Sequence, residues 1–330
     1  MLILHSKQKQ MMKSLIVALG LSAVLFSSQS CAQKTQTVAF YNVENLFDTL
    51  DTPDVRDEEF TPEGSKEWNS ERYTEKLNHV NTVFELLEKP IIFGLCEIEN
   101  RAVIEDVRAY GKMKKHYSIV HTESLDKRGI DNAILYNRKK LKLNSSGIVR
   151  FEMPEPSGPS RDIIWAKFLY KKDTILAMVN HWPSRWGGQA KSEPKRLIAA
   201  TAARNFLDSV MTISPSVKIV FMGDLNDYPD NLAPQMISEV LKPMITPKSG
   251  EFGGTNSYKG EWNILDHIMV SNNFLEKSGV HVREESGKIY SPKFLLGEYK
   301  GNIVPARTYG GKTYLGGYSD HLPVSIGIGM

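Results

Sequence analysis

The run Lys218-Ile219-Val220-Phe221-Met222-Gly223-Asp224-Leu225-Asn226-Asp227 constrains the fold more than any other stretch of the chain. An apolar, β-favouring core follows Ser214-Pro215-Ser216 and breaks at Gly223. Such a run reads as a strand covered on both faces in an α/β sheet. In open α/β architectures, ligands are handled beyond the carboxyl ends of strands like this one. Asp224 and Asn226 would then emerge together at a sheet edge, on a loop steered by Gly223. Asp, Asn and Gly are also ordinary turn residues, so this stretch alone leaves a catalytic loop and a plain turn open.

Other strand ends repeat the pattern. Gln36–Asn42 predicts a first strand, ending in Asn42-Val43-Glu44-Asn45. The loop Asp48–Asn69 is acidic, and we read it as a solvated surface segment, with a site-bordering loop as the alternative. Tyr73, Leu77, Val80, Phe84 and Leu87 recur at three- and four-residue steps, the stripe of an amphipathic helix beginning at Ser70 and stopped by Pro90. Ile91–Cys96 predicts a second buried strand, ending in Glu97-Ile98-Glu99-Asn100, and a short helix is expected over Ala102–Tyr110. Tyr117–His121, Asn132–Tyr136, Ile148–Met153, Asp162–Tyr170 and Asp173–Val179 read as successive hairpin strands. The last leads into Asn180-His181-Trp182-Pro183. A second long helix is predicted from Ser192-Glu193-Pro194, with Ser192 as its N-cap. Trp262–Ser271 is read as one strand containing Asp266-His267. Ser319-Asp320-His321-Leu322-Pro323 precedes a terminal strand, Val324–Ile328.

The N-terminus reads differently. Lys7, Lys9 and Lys13 precede the apolar run Ser14–Phe26, and small residues lead to Cys31-Ala32-Gln33. A basic start, a short apolar stretch and a small-residue exit make residues 1–32 a secretory signal peptide. Cleavage after Ala32 and lipidation of Cys31 are the two processing alternatives. The expected product is an exported protein: periplasmic, outer-membrane-associated or extracellular, with a membrane contact only if Cys31 carries lipid. Residues 33–330 form a single catalytic domain in this reading.

The whole chain holds 41 basic and 38 acidic residues, and residues 1–32 account for three lysines and no acids, which leaves 38 of each. The net charge therefore belongs to the leader, and attraction to polyanions must come from local patches. With Cys31 at the processing site, Cys96 stands alone and no internal disulfide is available, so stability rests on packing and on any bound metal.

Asn42, Glu97, His181, Asp224, Asn226, Asp266, Asp320 and His321 all lie in or just after β-like runs. Each has an ordinary structural explanation taken singly. A carboxylate inside an apolar strand, as at Asp266, is costly unless paired or bound to metal. Carboxylates and carboxamides are hard oxygen donors suited to Mg²⁺, Mn²⁺ or Ca²⁺, and two histidines add donors for an anionic oxygen. Zinc-type Cys/His spacing, a P-loop and a nucleophile elbow are all missing from the sequence. This set suggests attack by water on a phosphoester.

Six segments then carry a resemblance: Asn42-Val43-Glu44-Asn45, Cys96-Glu97-Ile98-Glu99-Asn100, Asn180-His181-Trp182-Pro183, Gly223-Asp224-Leu225-Asn226, Leu265-Asp266-His267-Ile268 and Ser319-Asp320-His321-Leu322-Pro323. In this order and spacing the chain resembles the endonuclease/exonuclease/phosphatase superfamily over residues 37 to 328. The resemblance implies a four-layer α/β sandwich, two packed mixed β-sheets flanked by helices. It implies Glu97 as the principal metal ligand, with Asn42 and Asp320 close to the metal. Asp224 would orient or deprotonate the attacking water, and Asn226 would hold the phosphate or that water. His181 and His321 would donate to phosphate oxygens, and Asp266 would support one of the histidines or a second metal. Cys96 stands where many members have Gln. Asp131 is the candidate carboxylate to orient His181.

The substrate walls are less legible. Trp182, Arg185 and Trp186 are candidates to stack a base or grip a phosphate. Tyr290, Tyr299, Tyr309, Tyr314 and Tyr318, with Lys300, Arg307 and Lys312, are candidates for a basic aromatic wall beside Asp320-His321. The expected activity is that of an exported metal-dependent phosphodiesterase acting on nucleic acid. A phosphomonoesterase or a sphingomyelinase-like lipid hydrolase is the alternative within the fold. A non-catalytic binding module would have lost Glu97, His181, Asp224 or His321, and all four are present.

Overall fold

A computed structural model describes residues 35–330, which form one compact unit. The predicted signal peptide lies outside the described residues.

One sheet is built from β1 (Gln36–Leu46), β2 (Ile92–Ile98), β3 (Tyr117–His121) and β4 (Asp131–Asn137). The second comprises β5 (Lys142–Val149), β6 (Ile163–Tyr170), β7 (Asp173–His181), β8 (Lys218–Asp224) and the short β9 (Lys242–Pro243). Two short strands, β10 (Asn256–Tyr258) and β11 (Glu261–Asn263), pair with each other; β12 (Asp266–Val270) then returns to the second sheet. β13 (His281–Val282) and β14 (Lys288–Ile289) join the first sheet. The hairpins β15–β16 (Leu296–Tyr299, Asn302–Pro305) and β17–β18 (Tyr309–Gly310, Thr313–Tyr314) stand apart, and β19 (Val324–Gly329) closes the chain. The strand orders are β13-β19-β1-β2-β4-β3 and β5-β6-β7-β8-β12-β9. Both sheets are mixed: β1–β2 and β7–β8 are parallel, and β1–β19, β2–β4, β6–β7 and β8–β12 are antiparallel.

Strand alternation divides the second sheet between two cores. Ile175, Ala177, Val179, Val220 and Met222 face the first sheet. Leu176, Met178, Ile219 and Phe221 face away, onto Ala199, Ala200, Ala203 and Leu207 of helix α3 (Gln189–Ile213) and onto helix α4 (Leu232–Ser238). The first sheet is covered by α1 (Ser70–Leu86) and α2 (Arg101–Tyr110), with Phe84 of α1 packed on Phe93 of β2. The layers are helix, sheet, sheet, helix. Gly94 lets the sheets approach, because a Cβ there would sit 2.8 Å from Val179 and 2.9 Å from Met222.

Most predicted elements occur within a few residues of their expected limits, and the departures have local causes. β5 runs over Lys142–Val149 and shares only Ile148 and Val149 with the expected Ile148–Met153 strand; beyond Val149, Arg150 turns its guanidinium onto Asp162, with contacts of 3.0 and 2.7 Å. α3 starts at Gln189, not after Ser192. Gly188 is its N-cap, Gly187 and Gly188 both take positive φ, and Ser192 Oγ donates back to the Gly188 carbonyl at 2.7 Å. Trp262–Ser271 is two strands, because Leu265 N and Asp266 N turn to Thr255 Oγ1 while the Leu265 carbonyl accepts from Leu225 N. The Asp48–Asn69 loop is solvated along much of its length, as expected, and is also anchored: Phe60 and Trp68 bury against Phe47, Ile130 and Tyr309, and Trp68 Nε1 donates to the Phe47 carbonyl at 3.0 Å.

Candidate active site

The site is made where strand ends of the two sheets meet. On the second sheet, His181 and Asp224 are register partners across β7–β8, and Asp266 is the partner of Asp224 across β8–β12. Gly223 is required for this closeness: a Cβ there would lie 2.2 Å from the Asn180 carbonyl oxygen. On the first sheet, Cys96 pairs with Asn132 and Ile98 with Asp131, so Glu97 is an extra residue bulged out of β2 against β4, while on the other side Val43, Glu44 and Asn45 of β1 are looped out between the pairs Asn42–Cys96 and Leu46–Ile98. Bulges re-aim side chains at such edges. Glu97, Glu44, Asn45 and Asn226 all have φ between 50° and 63°. Left-handed backbone at residues other than glycine costs about 1–3 kcal/mol each and concentrates at functional sites. His321 arrives from the turn before β19. That turn is pinned by Ser319 Oγ, which donates to the Asn42 carbonyl at 2.7 Å and accepts from His321 N at 3.0 Å.

The side chains converge on Asp224. Its Oδ2 accepts from Asn42 Nδ2 at 3.0 Å and from Asn226 Nδ2 at 3.3 Å, and its Oδ1 accepts from Asn226 N at 2.9 Å. Nε2 of His181 and Nε2 of His321 each lie 3.8 Å from the same Oδ2. Glu97 Oε2 accepts from Asn45 N at 2.8 Å, while Oε1 stands 3.4 Å from Asn42 Nδ2 and 3.7 Å from His181 Nε2. Asp266 Oδ2 lies 2.7 Å from Nδ1 of His321.

The electrostatics give the two histidines different states. Burial alone would drive His321 neutral, but the carboxylates of Asp266 and Asp224 outweigh it and hold its pKa well above the ordinary value. His321 is therefore an imidazolium at neutral pH. His181 is pushed well below the ordinary value by burial, then by the Arg161, Arg128 and His321 charges, so it is a neutral imidazole with one N–H to give. Burial raises Asp224 to about 7, with Asp266 and Glu97 adding to the effect and His321 and the Asn226 amide opposing it. A carboxyl tuned near the working pH suits a general base.

A divalent cation fits this donor set. Glu97, Asp224 and Asp266 bring three carboxylates together, His321 is the facing cation, and Asp266 Oδ1 is buried without a partner. This excess of negative charge and hard oxygen is what Mg²⁺, Mn²⁺ or Ca²⁺ selects. Glu97 would hold the ion. Such an ion supplies Lewis acidity and charge neutralisation for phosphoryl oxygens.

The profile of the endonuclease/exonuclease/phosphatase family matches residues 37–329. The chain belongs to this family. Solved structures agree on the fold of this endonuclease/exonuclease/phosphatase protein. The mannosyl-6-phosphatase of Bacteroides thetaiotaomicron VPI-5482 is 16% identical, with a TM-score of 0.59 over 89% of this chain and 100% of that one. Danio rerio TDP2 complexed with a single-strand DNA product is 12% identical, with a TM-score of 0.58 over 90% and 100%. The catalytic domain of human Nocturnin with a bound sulfate anion is 14% identical, with a TM-score of 0.57 over 89% and 94%. Among curated proteins none matches the sequence significantly.

For this family member the structure brings Asn42, Glu97, His181, Asp224, Asn226, Asp266 and His321 into one cluster, and it corrects several expectations. Trp182 is not a substrate wall: its ring is 0% exposed, tilts against Phe221 and donates from Nε1 to Asn180 Oδ1. Arg185 lies over the Tyr228 ring, with its NH1 3.6 Å from Asp227 Oδ1, so it braces the loop. Asn42 bridges Glu97 and Asp224 through its NH₂, and its amide oxygen accepts from Glu44 N at 2.9 Å. Asp320 gives one oxygen to Arg307 NH2 at 2.8 Å, leaving Oδ1 4.0 Å from His321 Nε2. Asp131 does not orient His181; it lies 3.2 Å from His121 Nε2 and accepts from Ser124 N, while His181 Nδ1 has no partner. The tyrosines form no common wall: Tyr309 packs on Trp68, Tyr318 stacks on His79, and Tyr290 bonds to Ser325.

Residues absent from the predicted site border it. Lys76 is buried on α1 and donates to Thr308 Oγ1 and, at 2.7 Å, to the Tyr318 carbonyl. Burial lowers its pKa to about 8 and raises that of neighbouring Glu44 to about 7. The signal was available, since Lys76 sits on the apolar stripe between Tyr73 and Val80, where a charge needs a partner. Arg128 and Arg161 offered no such signal, because both sit in loops without periodicity.

Proposed function

We propose that the protein is a divalent-metal-dependent phosphodiesterase, and that it acts as a nuclease after export. The observation that carries the reading is the convergence on Asp224 of an imidazolium, a neutral imidazole and the Glu97 carboxylate, all within 4 Å of one another or of Asn42. Water attacks phosphorus as Asp224 takes its proton, the P–O bond to the leaving oxygen breaks, and that oxygen takes a proton from solvent; Asn226 keeps the Asp224 carboxylate turned toward the site. His321 gives its proton-bearing Nε2 to a phosphoryl oxygen as charge develops there, and His181 contributes a neutral donor beside it. Asp266 holds His321 in the required orientation and charge state. The family comprises phosphoesterases, and the DNA product named for Danio rerio TDP2 supports a diester reading. The mannosyl-6-phosphatase among the similar structures supports a monoesterase as the second reading.

Purified protein is assayed on plasmid DNA, RNA, bis-p-nitrophenyl phosphate, p-nitrophenyl phosphate and sphingomyelin, with Mg²⁺, Mn²⁺, Ca²⁺ or chelator. Metal-dependent cleavage of nucleic acid is expected. Activity on monoesters alone would replace the nuclease reading, and indifference to chelator would remove the metal from it.

A further inference from the structure

A cavity of about 240 Å³ is lined by Arg56, Lys127, Arg128, Arg161, Lys191 and Lys195. Its lining includes one carboxylate, Asp126, already joined to Arg161 at 3.1 Å. Arg56, Lys127, Lys191 and Lys195 have no ion-pair partner among the described residues. With the mature chain close to neutral, this is the local basic patch that composition could not reveal.

Two short paths join the cavity to the catalytic cluster. Arg128 NH2 donates to Asn45 Oδ1 at 2.7 Å, and Asn45 N donates to Glu97 Oε2 at 2.8 Å. Arg161 NH2 donates to the Trp182 carbonyl at 3.0 Å, the same oxygen that accepts from Asn226 Nδ2 at 3.1 Å. Arg161 is 7% exposed and Ser160 is 9% exposed; Arg161 Nε and Ser160 Oγ are both buried without a hydrogen-bond partner. Donors left this way are costly, and an anion's oxygens satisfy them. At the rim, Trp186 is 81% exposed, with Lys191 Nζ 5.5 Å from its ring. A large apolar ring held in water beside six cations is a stacking platform of the kind that nucleotide-like ligands use.

We propose that this cavity is a second anion subsite, which takes a phosphate group of the substrate other than the one hydrolysed, with Trp186 stacking on an attached ring. The link to turnover rests on the hydrolase reading above, whereas the anion binding does not. A 5′-phosphorylated oligonucleotide and a small sugar bisphosphate both carry the required chemistry.

The test titrates Trp186 emission, with W186F as the blank, using inorganic phosphate, 5′-phosphorylated dithymidylate, its unphosphorylated form and fructose 1,6-bisphosphate. Phosphate is expected to bind, and K127A/K195A to weaken it by roughly tenfold, the loss of about 1.4 kcal/mol. His321→Ala should leave the titration in place. Tighter binding of the phosphorylated dinucleotide than of the bisphosphate identifies a nucleic-acid end as the source, and the reverse identifies a sugar phosphate. In turnover, the preference for the phosphorylated over the unphosphorylated dinucleotide should collapse in K127A/K195A and in R56A/K191A. Phosphate affinity unchanged in both double variants overturns the subsite. Intact phosphate binding with no hydrolysis of any diester supports the subsite and counts against the activity alone.

Discussion

Asp266 Oδ2 meets Nδ1 of His321 at 2.7 Å, across 55 residues of sequence and between a strand of the second sheet and the turn that precedes β19 of the first. The pair is buried, and it leaves Nε2 of His321 aimed at Asp224. Because Asp266 raises the histidine's pKa, the imidazolium persists through neutral pH and is lost as pH rises through the elevated value. D266N should lower kcat/KM by about 10²–10³-fold and move the alkaline limb of the pH–rate profile to lower pH. A limb that stays in place would remove Asp266 from this role.

With Asp224 as the proposed base, its conversion to Asn should lower kcat by about 10²–10⁴-fold without unfolding the protein. Circular dichroism beside single-turnover rates checks both parts. A D224N enzyme of near-normal rate would relocate the base.

Glu97 is the expected metal ligand. E97Q should weaken Mn²⁺ binding by calorimetry far more than N42A does, since Asn42 turns its NH₂ toward the carboxylates. Equal losses would return Asn42 to the ligand set.

Asp227 lies outside the predicted site, and the structure gives it a different task. It is 0% exposed and holds Arg196 Nε at 2.9 Å, with Arg185 at 3.6 Å on the other oxygen. D227A strands the Arg196 charge in the interior and should cost about 3–5 kcal/mol, read as a lower urea midpoint. An unchanged midpoint would show the pair to be dispensable.

Lys218, at the start of β8, sits 3.0 Å from Asp173, which also accepts from Val280 N at 2.9 Å. Burial raises the Asp173 pKa somewhat, but the hydrogen bonds and the Lys218 charge win and lower it. A depressed carboxylate contributes stability above its unfolded pKa of about 3.9 and loses it as pH falls through the lower folded value. D173N should flatten that part of the stability curve, measured by urea unfolding between about pH 4 and pH 2. A slope equal to that of the wild type would sink the assignment.

Much of the fold was legible because strand and helix periodicities are local. The run from Lys218 to Asp224 is buried throughout, and the strand ends at Asn42, Glu97, His181 and Asp224 do face one another. Trp182 misled because an aromatic beside a site residue has the same composition whether it faces solvent or Phe221. Ser192 misled because serine caps helices only where the preceding backbone leaves it outside the first turn, and the two glycines moved that turn upstream.

The sequence by itself determined which strands are buried, where they end, and that those ends carry oxygen and imidazole donors, since all of this follows from side-chain type and short-range spacing. Only the tertiary structure decided who pairs with whom. Asp266 belongs to His321, Asp227 to Arg196, Asp131 to His121, and Lys76 lies within reach of Glu44. Each of those partnerships forms when two sheets and their covering helices close on one another, and the cost of burying a charge selects a partner by distance in space, to which the order of residues along the chain is blind.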